Sequence, residues 1–131
     1  MRRSKYGNKK VKAHSQVFDS AKEARRFQEL HLLGKFGKIT DLRTQVAFEL
    51  IPAQYEDIPT GEVYVRGEKK GQPKLKRTCV EKSVKYIADF VYYENGKMVV
   101  EDTKSEATKT PEYIIKRKLM RYIHGIKIKE I

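Results

Sequence analysis

Tyr86-Ile-Ala-Asp-Phe-Val-Tyr-Tyr-Glu-Asn-Gly-Lys-Met-Val-Val-Glu-Asp-Thr-Lys104 is the stretch that decides how this chain folds. Two runs rich in β-branched and aromatic residues flank Asn95-Gly96, and Asn-Gly in that setting is the strongest short-range hairpin signal. With a two-residue turn, Glu94 pairs with Lys97, and counting outward brings Asp89 opposite Asp102. Side chains alternate faces along a strand. One face therefore carries Ile87, Asp89, Val91 and Tyr93 together with Met98, Val100, Asp102 and Lys104. Two carboxylates facing each other on a largely apolar surface repel. A divalent cation between them would reverse the sign, because hard cations take carboxylate oxygens as ligands.

Upstream, Ser20-Ala-Lys-Glu23 matches the capping-box pattern at a helix start. Ala24, Phe27, Leu30 and Leu33 carry that helix towards Gly34 or Gly37, where glycine suits a C-terminal stop. Ile39 to Ile51 reads as a strand, since Val46, Phe48 and Leu50 alternate and Pro52 follows. Residues 1–12 form a basic arm, and His14 to Phe18 a short extended piece. Residues at about 53–82 hold Pro59, Gly61, Gly67, Gly71 and Pro73 among many lysines. They read as a basic loop or hairpin inserted into the domain, with room for a short strand at Glu62–Arg66.

Downstream of the central hairpin, Thr110-Pro111 caps a second helix. Its apolar stripe is Ile115, Leu119, Tyr122 and Ile123, and Gly125 ends it. Ile126, Ile128 and Glu130 then alternate with Lys127 and Lys129 in a last strand. The order helix, strand, strand, strand, helix, strand predicts an α/β fold with a mixed sheet flanked by helices. Residues 13–131 form a single domain behind the arm.

The 131 residues carry 29 Lys and Arg against 17 Asp and Glu, a net charge of +12. An excess of this size in a small domain points to a polyanionic partner, nucleic acid first. No apolar run reaches the length of a membrane span, and no apolar core follows the charged N-terminus as in a signal peptide. The single cysteine, Cys79, excludes an internal disulfide and a Cys-rich zinc site, and a reducing cytoplasm is the expected compartment.

Asp89, Asp102 and Lys104 form the central constellation. Asp89 and Asp102 would be direct ligands of a divalent ion, with the Thr103 carbonyl as a further oxygen. Such an ion polarises a phosphodiester and supplies hydroxide at neutral pH. Lys104 would orient water or offset developing negative charge. The alternative is an exposed face where Lys104 balances two surface acids. Glu101 competes with Asp102, but alternation places it on the opposite face from Asp89. Glu23 shares a helix face with core residues, and is either a third ligand or the capping partner of Ser20. Gln45 could reach the site from the neighbouring strand, or be an ordinary polar strand residue. The histidines at 14, 31 and 124 show no ligand spacing.

The arm at 2–12, the lysine-rich 66–77 loop, and Lys116, Arg117, Lys118 and Arg121 are candidate phosphate contacts, which position a backbone without reading sequence. Tyr6, Tyr64 and Tyr113 could stack on unpaired bases or serve as packing residues.

The element order with Asp89 and Asp102-Thr-Lys104 resembles the PD-(D/E)xK nuclease superfamily. More closely, Lys5-Tyr-Gly-Asn-Lys-Lys10, Phe18-Asp-Ser-Ala-Lys-Glu-Ala24, Tyr86-Ile-Ala-Asp-Phe-Val-Tyr92 and Val100-Glu-Asp-Thr-Lys104 are similar to a family of small basic phage and prophage proteins of unassigned function, read as nucleases of that superfamily. The likeness spans most of the chain outside about 55–80. The superfamily's Pro-Asp is Ala88-Asp89 here, which leaves the carboxylate in place. The resemblance implies a restriction-endonuclease-like core in the order α-β-β-β-α-β. It also implies catalysis by Glu23, Asp89, Asp102 and Lys104, with Mg2+ or Mn2+ as cofactor and DNA as substrate, and it favours Glu23 as a ligand. The expected function is a metal-dependent DNA endonuclease in a bacterial host cell, by analogy one acting on branched or recombining phage DNA, with a homodimer compatible. The competing expectation is a non-catalytic nucleic-acid-binding protein on the same scaffold.

Overall fold

The computed structural model describes residues 10–13 and 16–131. Residues 1–9 of the expected basic arm, with Tyr6, and His14 lie outside the described residues. The described residues divide into two compact units, one of residues up to 48 together with 86–131, the other of residues 49–85.

The first unit is mixed α/β. Strands β1 (Val11–Ala13) and β2 (Gln16–Phe18) pair antiparallel as a two-stranded sheet. Residues 11 and 12, expected in the arm, thus belong to a strand; Val11 packs against the core and Ala13 is buried in it. Helix α1 (Ala21–Lys35) follows, capped by Ser20, whose hydroxyl accepts from the Glu23 N–H at 3.1 Å. Four strands form the main sheet in the order β3 (Thr40–Ile51), β6 (Val84–Glu94), β7 (Lys97–Asp102) and β8 (Lys129–Glu130). The sheet is mixed: β6 and β7 are antiparallel, β7 and β8 parallel. Helix α2 (Pro111–His124) supplies the crossover between β7 and β8, as a parallel pair requires.

The central hairpin has the register that Asn-Gly dictates, with Glu94 opposite Lys97 and Phe90 opposite Glu101. Asn95 and Gly96 both take positive φ, 51° and 75°, the conformation of a type I′ turn. Pairing stops at Phe90 and Glu101, one step short of Asp89 and Asp102. The strands part there.

The core lies between α1, the β1–β2 pair and the sheet. Phe18, Phe27 and Phe90 meet with ring centroids 5.0, 6.2 and 6.3 Å apart. A second aromatic group, Phe48, Tyr86, Tyr113 and His124, ties β3, β6 and α2 together. Helix α2 corrects the sequence reading. Of the stripe expected to be buried, Leu119 is half-buried, while Ile115 (58 % exposed), Tyr122 (89 %) and Ile123 (44 %) look outward. Tyr113 and Met120, two turns apart, face inward instead, because the Tyr113 hydroxyl is anchored on Glu130 at 2.9 Å. Gly125 ends the helix in the left-handed region at φ 66°, where a Cβ is unfavourable.

The second unit contains an antiparallel hairpin of β4 (Gln54–Val63) and β5 (Pro73–Glu81). The hairpin alternative for 53–82 is therefore the observed one, and both strands are longer than the short strand expected at Glu62–Arg66. The register shifts between Pro59 and Val63, where Gly61 takes φ 90°. Every residue of β4 is exposed, and Arg77 lies over the Tyr55 ring, 4.0 Å from its centroid. Cys79, on β5, is a free, exposed thiol.

Candidate active site

Where β6 and β7 part, the first turn of α1 closes a cleft of about 300 Å³. Glu23, Asp89, Asp102, Thr103 and Lys104 all line it, so the five residues singled out from sequence are brought together. Asp19, Ser20, Lys22, Ser105 and Thr108 complete the wall.

The strand fork explains the placement. One oxygen of Asp89 accepts from the Thr103 backbone N–H at 2.9 Å and from its hydroxyl at 2.8 Å. A side-chain carboxylate thus takes the donor left over where the ladder ends. On the other edge β7 is held by β8, with Ile131 N–H donating to the Asp102 carbonyl at 2.9 Å and Lys104 N–H donating to the Ile131 carbonyl at 3.1 Å. Asp102 is 4 % exposed. Its carboxylate accepts from the Tyr86 hydroxyl at 2.7 Å and lies 3.6 Å from the Lys104 ammonium. Lys104 rests on the face of Tyr113, 4.4 Å from the ring centroid, a cation–π contact. Lys22 Nζ donates to the Lys104 carbonyl at 3.0 Å.

Glu23 is 5 % exposed and accepts from the Gln45 amide at 3.0 Å. Ser20 still caps the helix with its hydroxyl, while the Glu23 carboxyl turns to the cleft. The same Gln45 nitrogen approaches Asp89 at 3.4 Å, so Gln45 bridges two acids. It does so from φ 52°, a left-handed conformation strained for a residue with a Cβ.

Two carboxylates are reluctant to ionise. Burial, reinforced by the Asp89 and Asp19 charges, pushes Glu23 up to about 7 against the opposing pull of an Asp19 backbone hydrogen bond and Lys104. Burial, together with the Asp89 hydrogen bond and charge, pushes Asp102 up to about 7 despite Tyr86 and Lys104. The buried Tyr86 hydroxyl next to Asp102 is itself held well above the usual tyrosine range, by burial first.

Glu101 belongs elsewhere. It is fully buried and bound by Arg26 through two bonds of 2.8 and 2.7 Å. The Tyr92 hydroxyl also donates to it. It holds α1 to β7 as a structural ion pair. His31 and His124 lie against Phe27 and Phe48 rather than at the cleft. Tyr113 is buried, which removes it as a stacking platform, and Lys116 is paired with Glu112 at 3.2 Å.

Tyr86 and Lys22 escaped the sequence reading. Strict alternation puts Tyr86 on the opposite strand face from Asp102, and only the fork lets its hydroxyl cross. Lys22 carried a signal, its position beside Glu23 in the Phe18–Ala24 motif.

The donors facing the cleft are oxygens, which suit magnesium or manganese rather than a soft metal. Among the described residues no group of three or more His, Cys, Asp or Glu side chains is drawn together as a ready metal cage. Lys104 beside Asp102, and the Gln45 amide between Glu23 and Asp89, supply the positive ends there instead.

Fold and cleft thus define a mixed α/β protein with a basic surface and a recessed carboxylate site. The chain belongs to the family described as "Protein of unknown function (DUF1064)", which matches residues 3–129. No curated protein and no solved structure matches it.

Proposed function

We propose that this protein is a metal-dependent DNA endonuclease whose site is Glu23, Asp89, Asp102 and Lys104. The observation that carries the reading is the cleft whose wall brings Glu23, Asp89, Asp102 and Lys104 together, with Glu23 and Asp102 held near pKa 7 by burial and by neighbouring charge. Folding tolerates such repulsion when function requires it. The order α1, β3, β6, β7, α2, β8 in the first unit supports a restriction-endonuclease-like core. The net charge of +12 supports DNA as the substrate.

The residues fit a hard divalent cation by donor type. Glu23, Asp89, Asp102 and the Thr103 carbonyl would hold magnesium or manganese. The ion would acidify a water and neutralise phosphate oxygens. Lys104, kept in place by the Tyr113 ring and Asp102, presents its ammonium to the phosphate or to the attacking water. Tyr86 fixes the orientation of the Asp102 carboxylate, and Gln45 links Glu23 and Asp89 through its amide nitrogen without adding charge.

The decisive experiment is cleavage of linear, flapped and four-way DNA with and without magnesium or manganese. Cleavage needing metal and lost in folded Asp89→Ala and Lys104→Ala proteins supports the site; unchanged cleavage in both refutes it. The second reading, a non-catalytic DNA-binding scaffold, draws on the Lys104 and Gln45 contacts that already serve the acids. Calorimetric titration with manganese separates the two: heat abolished by Asp102→Ala favours the enzyme. Salt-sensitive DNA binding with no metal binding at millimolar concentration favours the scaffold.

A further inference from the structure

Helix α2 and the segment after it enclose a second cleft, of about 330 Å³. Arg117, Lys118, Arg121 and Lys127 surround a floor of Ile126 and Ile128, and Glu130 is the only acid in its wall. Glu130 is already engaged, accepting from Tyr113 at 2.9 Å and from Arg117 at 3.4 and 3.5 Å. Lys118, Arg121 and Lys127 form no ion pair with any described residue. Three uncompensated cations around a recess cost electrostatic energy unless an anion joins them.

Basic residues near a helix C-terminus also complement its dipole, but that explanation is incomplete here. The turn after the helix already closes on backbone alone: Gly125 N–H donates to the Arg121 carbonyl at 3.0 Å, and Ile126 N–H to the Met120 carbonyl at 3.3 Å. Lys127 lies beyond the helix altogether.

We infer that this cleft binds a phosphate group, and that the phosphate is a backbone phosphodiester of the nucleic acid held next to the carboxylate cleft. A guanidinium offers forked donors that match phosphate geometry, and lysines add point charges. The lining contains no aromatic ring to stack on a base and no amide to read one, as befits a contact that positions a strand without reading sequence. The two clefts meet at a single side chain. Tyr113 carries Lys104 on its ring, 4.4 Å from the centroid. Its hydroxyl binds Glu130, in the wall of the second cleft. The assignment to DNA rests on the nuclease reading; the phosphate site itself does not.

The test is DNA binding by fluorescence anisotropy in EDTA across a potassium chloride series, where no metal-dependent cleavage occurs. The Lys118→Ala/Arg121→Ala/Lys127→Ala protein is compared with wild type and with Lys35→Ala/Lys38→Ala/Lys97→Ala, which removes equal charge from other exposed positions. Each protein is also melted with and without millimolar inorganic phosphate. If all three cleft cations contact phosphates, the slope of log Kobs against log salt becomes shallower by about 2.7 in the cleft variant, against less than about 1 in the control. Phosphate raises the melting temperature of wild type and control but not of the cleft variant. Equal slopes for the two triple variants overturn the DNA assignment, even if phosphate still stabilises wild type. Equal phosphate stabilisation of all three proteins overturns the site. Failure of wild type to bind DNA sinks the nuclease reading, and the phosphate arm alone then decides the cleft.

Discussion

Thr103 donates twice to one oxygen of Asp89, through its backbone N–H at 2.9 Å and its hydroxyl at 2.8 Å. The contact fastens the end of β7 to β6 just past the last ladder pair. Thr103→Val keeps the shape and the backbone bond but deletes the hydroxyl. It should cost about 1.5–3 kcal/mol, the range for a hydrogen bond to a charged group, read from urea unfolding. Asp89→Asn keeps an acceptor for Thr103 and should unfold close to wild type, while metal-dependent cleavage falls to background. A folded Asn variant with full cleavage would remove Asp89 from the site.

Gln45 tests whether strain accompanies position. Gln45→Ala and Gln45→Gly both delete the amide that bridges Glu23 and Asp89, but only glycine accepts φ 52° without penalty. The glycine variant should therefore be more stable than the alanine one by about 1 kcal/mol. Both should bind manganese more weakly than wild type. Equal unfolding midpoints for the two variants would show that the backbone relaxes there.

The Arg26–Glu101 pair should behave as a buried ion pair. Arg26→Met leaves the fully buried Glu101 carboxylate with only Tyr92 and the distant Lys129 ammonium at 4.0 Å, and should cost up to about 3–5 kcal/mol. Arg26→Met with Glu101→Leu should cost less than Arg26→Met alone, because no unpaired charge remains. Chemical denaturation of the single and double variants measures the coupling. A double variant as unstable as the sum of the two singles would rule it out.

Stability should depend on pH in a direction uncommon for carboxylates. Glu23 and Asp102 are raised to about 7 in the folded protein from ordinary values of 4.5 and 3.8. Between those values the folded state holds protons that the unfolded state has released, so stability falls as pH rises. The penalty is absent below about pH 4 and complete above about pH 7. Metal-free protein should melt at a higher temperature at pH 5.5 than at pH 8, and Glu23→Gln should flatten part of that slope. Magnesium should restore more stability at pH 8 than at pH 6, since binding displaces protons. A Glu23→Gln melting profile parallel to wild type would contradict the shift.

Tyr113 should matter to Lys104 through its ring rather than its hydroxyl. Tyr113→Phe keeps the cation–π surface and loses only the Glu130 bond, whereas Tyr113→Leu loses both. The leucine variant should lower kcat with little change in KM, and phenylalanine should restore most of the rate. Equal rates for the two variants would detach Tyr113 from Lys104.

Legibility from sequence followed how local each determinant is. Asn95-Gly96 states its own turn, and the turn states the register, so Phe90 opposite Glu101 could be counted off. Ser20 as a cap and Gly125 as a stop are equally local. Helix α2 misled because its most apolar stripe is not its buried one; the hydrogen bond from Tyr113 to Glu130 sets the rotation, and that partner lies beyond the helix. Pro59 and Gly61 disguised β4, since both usually break strands. At the cleft, Asp89, Asp102 and Lys104 were legible through alternation, and Glu23 through its helix face. The strand fork was not, and with it went Tyr86 on Asp102 and the two bonds from Thr103 to one Asp89 oxygen. The left-handed backbone at Gln45 has no local signature, because glutamine is not a residue that favours it.

The bonds that assemble the cleft span long stretches of chain: 22 residues from Glu23 to Gln45, 44 from Gln45 to Asp89 and 82 from Lys22 to Lys104. Each such closure has an entropic cost that grows with the loop, and non-local pairing is slow to form. Glu23 therefore meets the two aspartates later than they meet each other, after α1 and the Asn95-Gly96 hairpin have formed from their own neighbours. Asp89 and Asp102 already come together at the mouth of that hairpin through Thr103 and Tyr86, whereas Glu23 joins them only when α1 packs against the sheet. The third carboxylate thus adds its repulsion only when the helix docks, and the desolvation that opposes ionisation of Glu23 belongs to that long-range step.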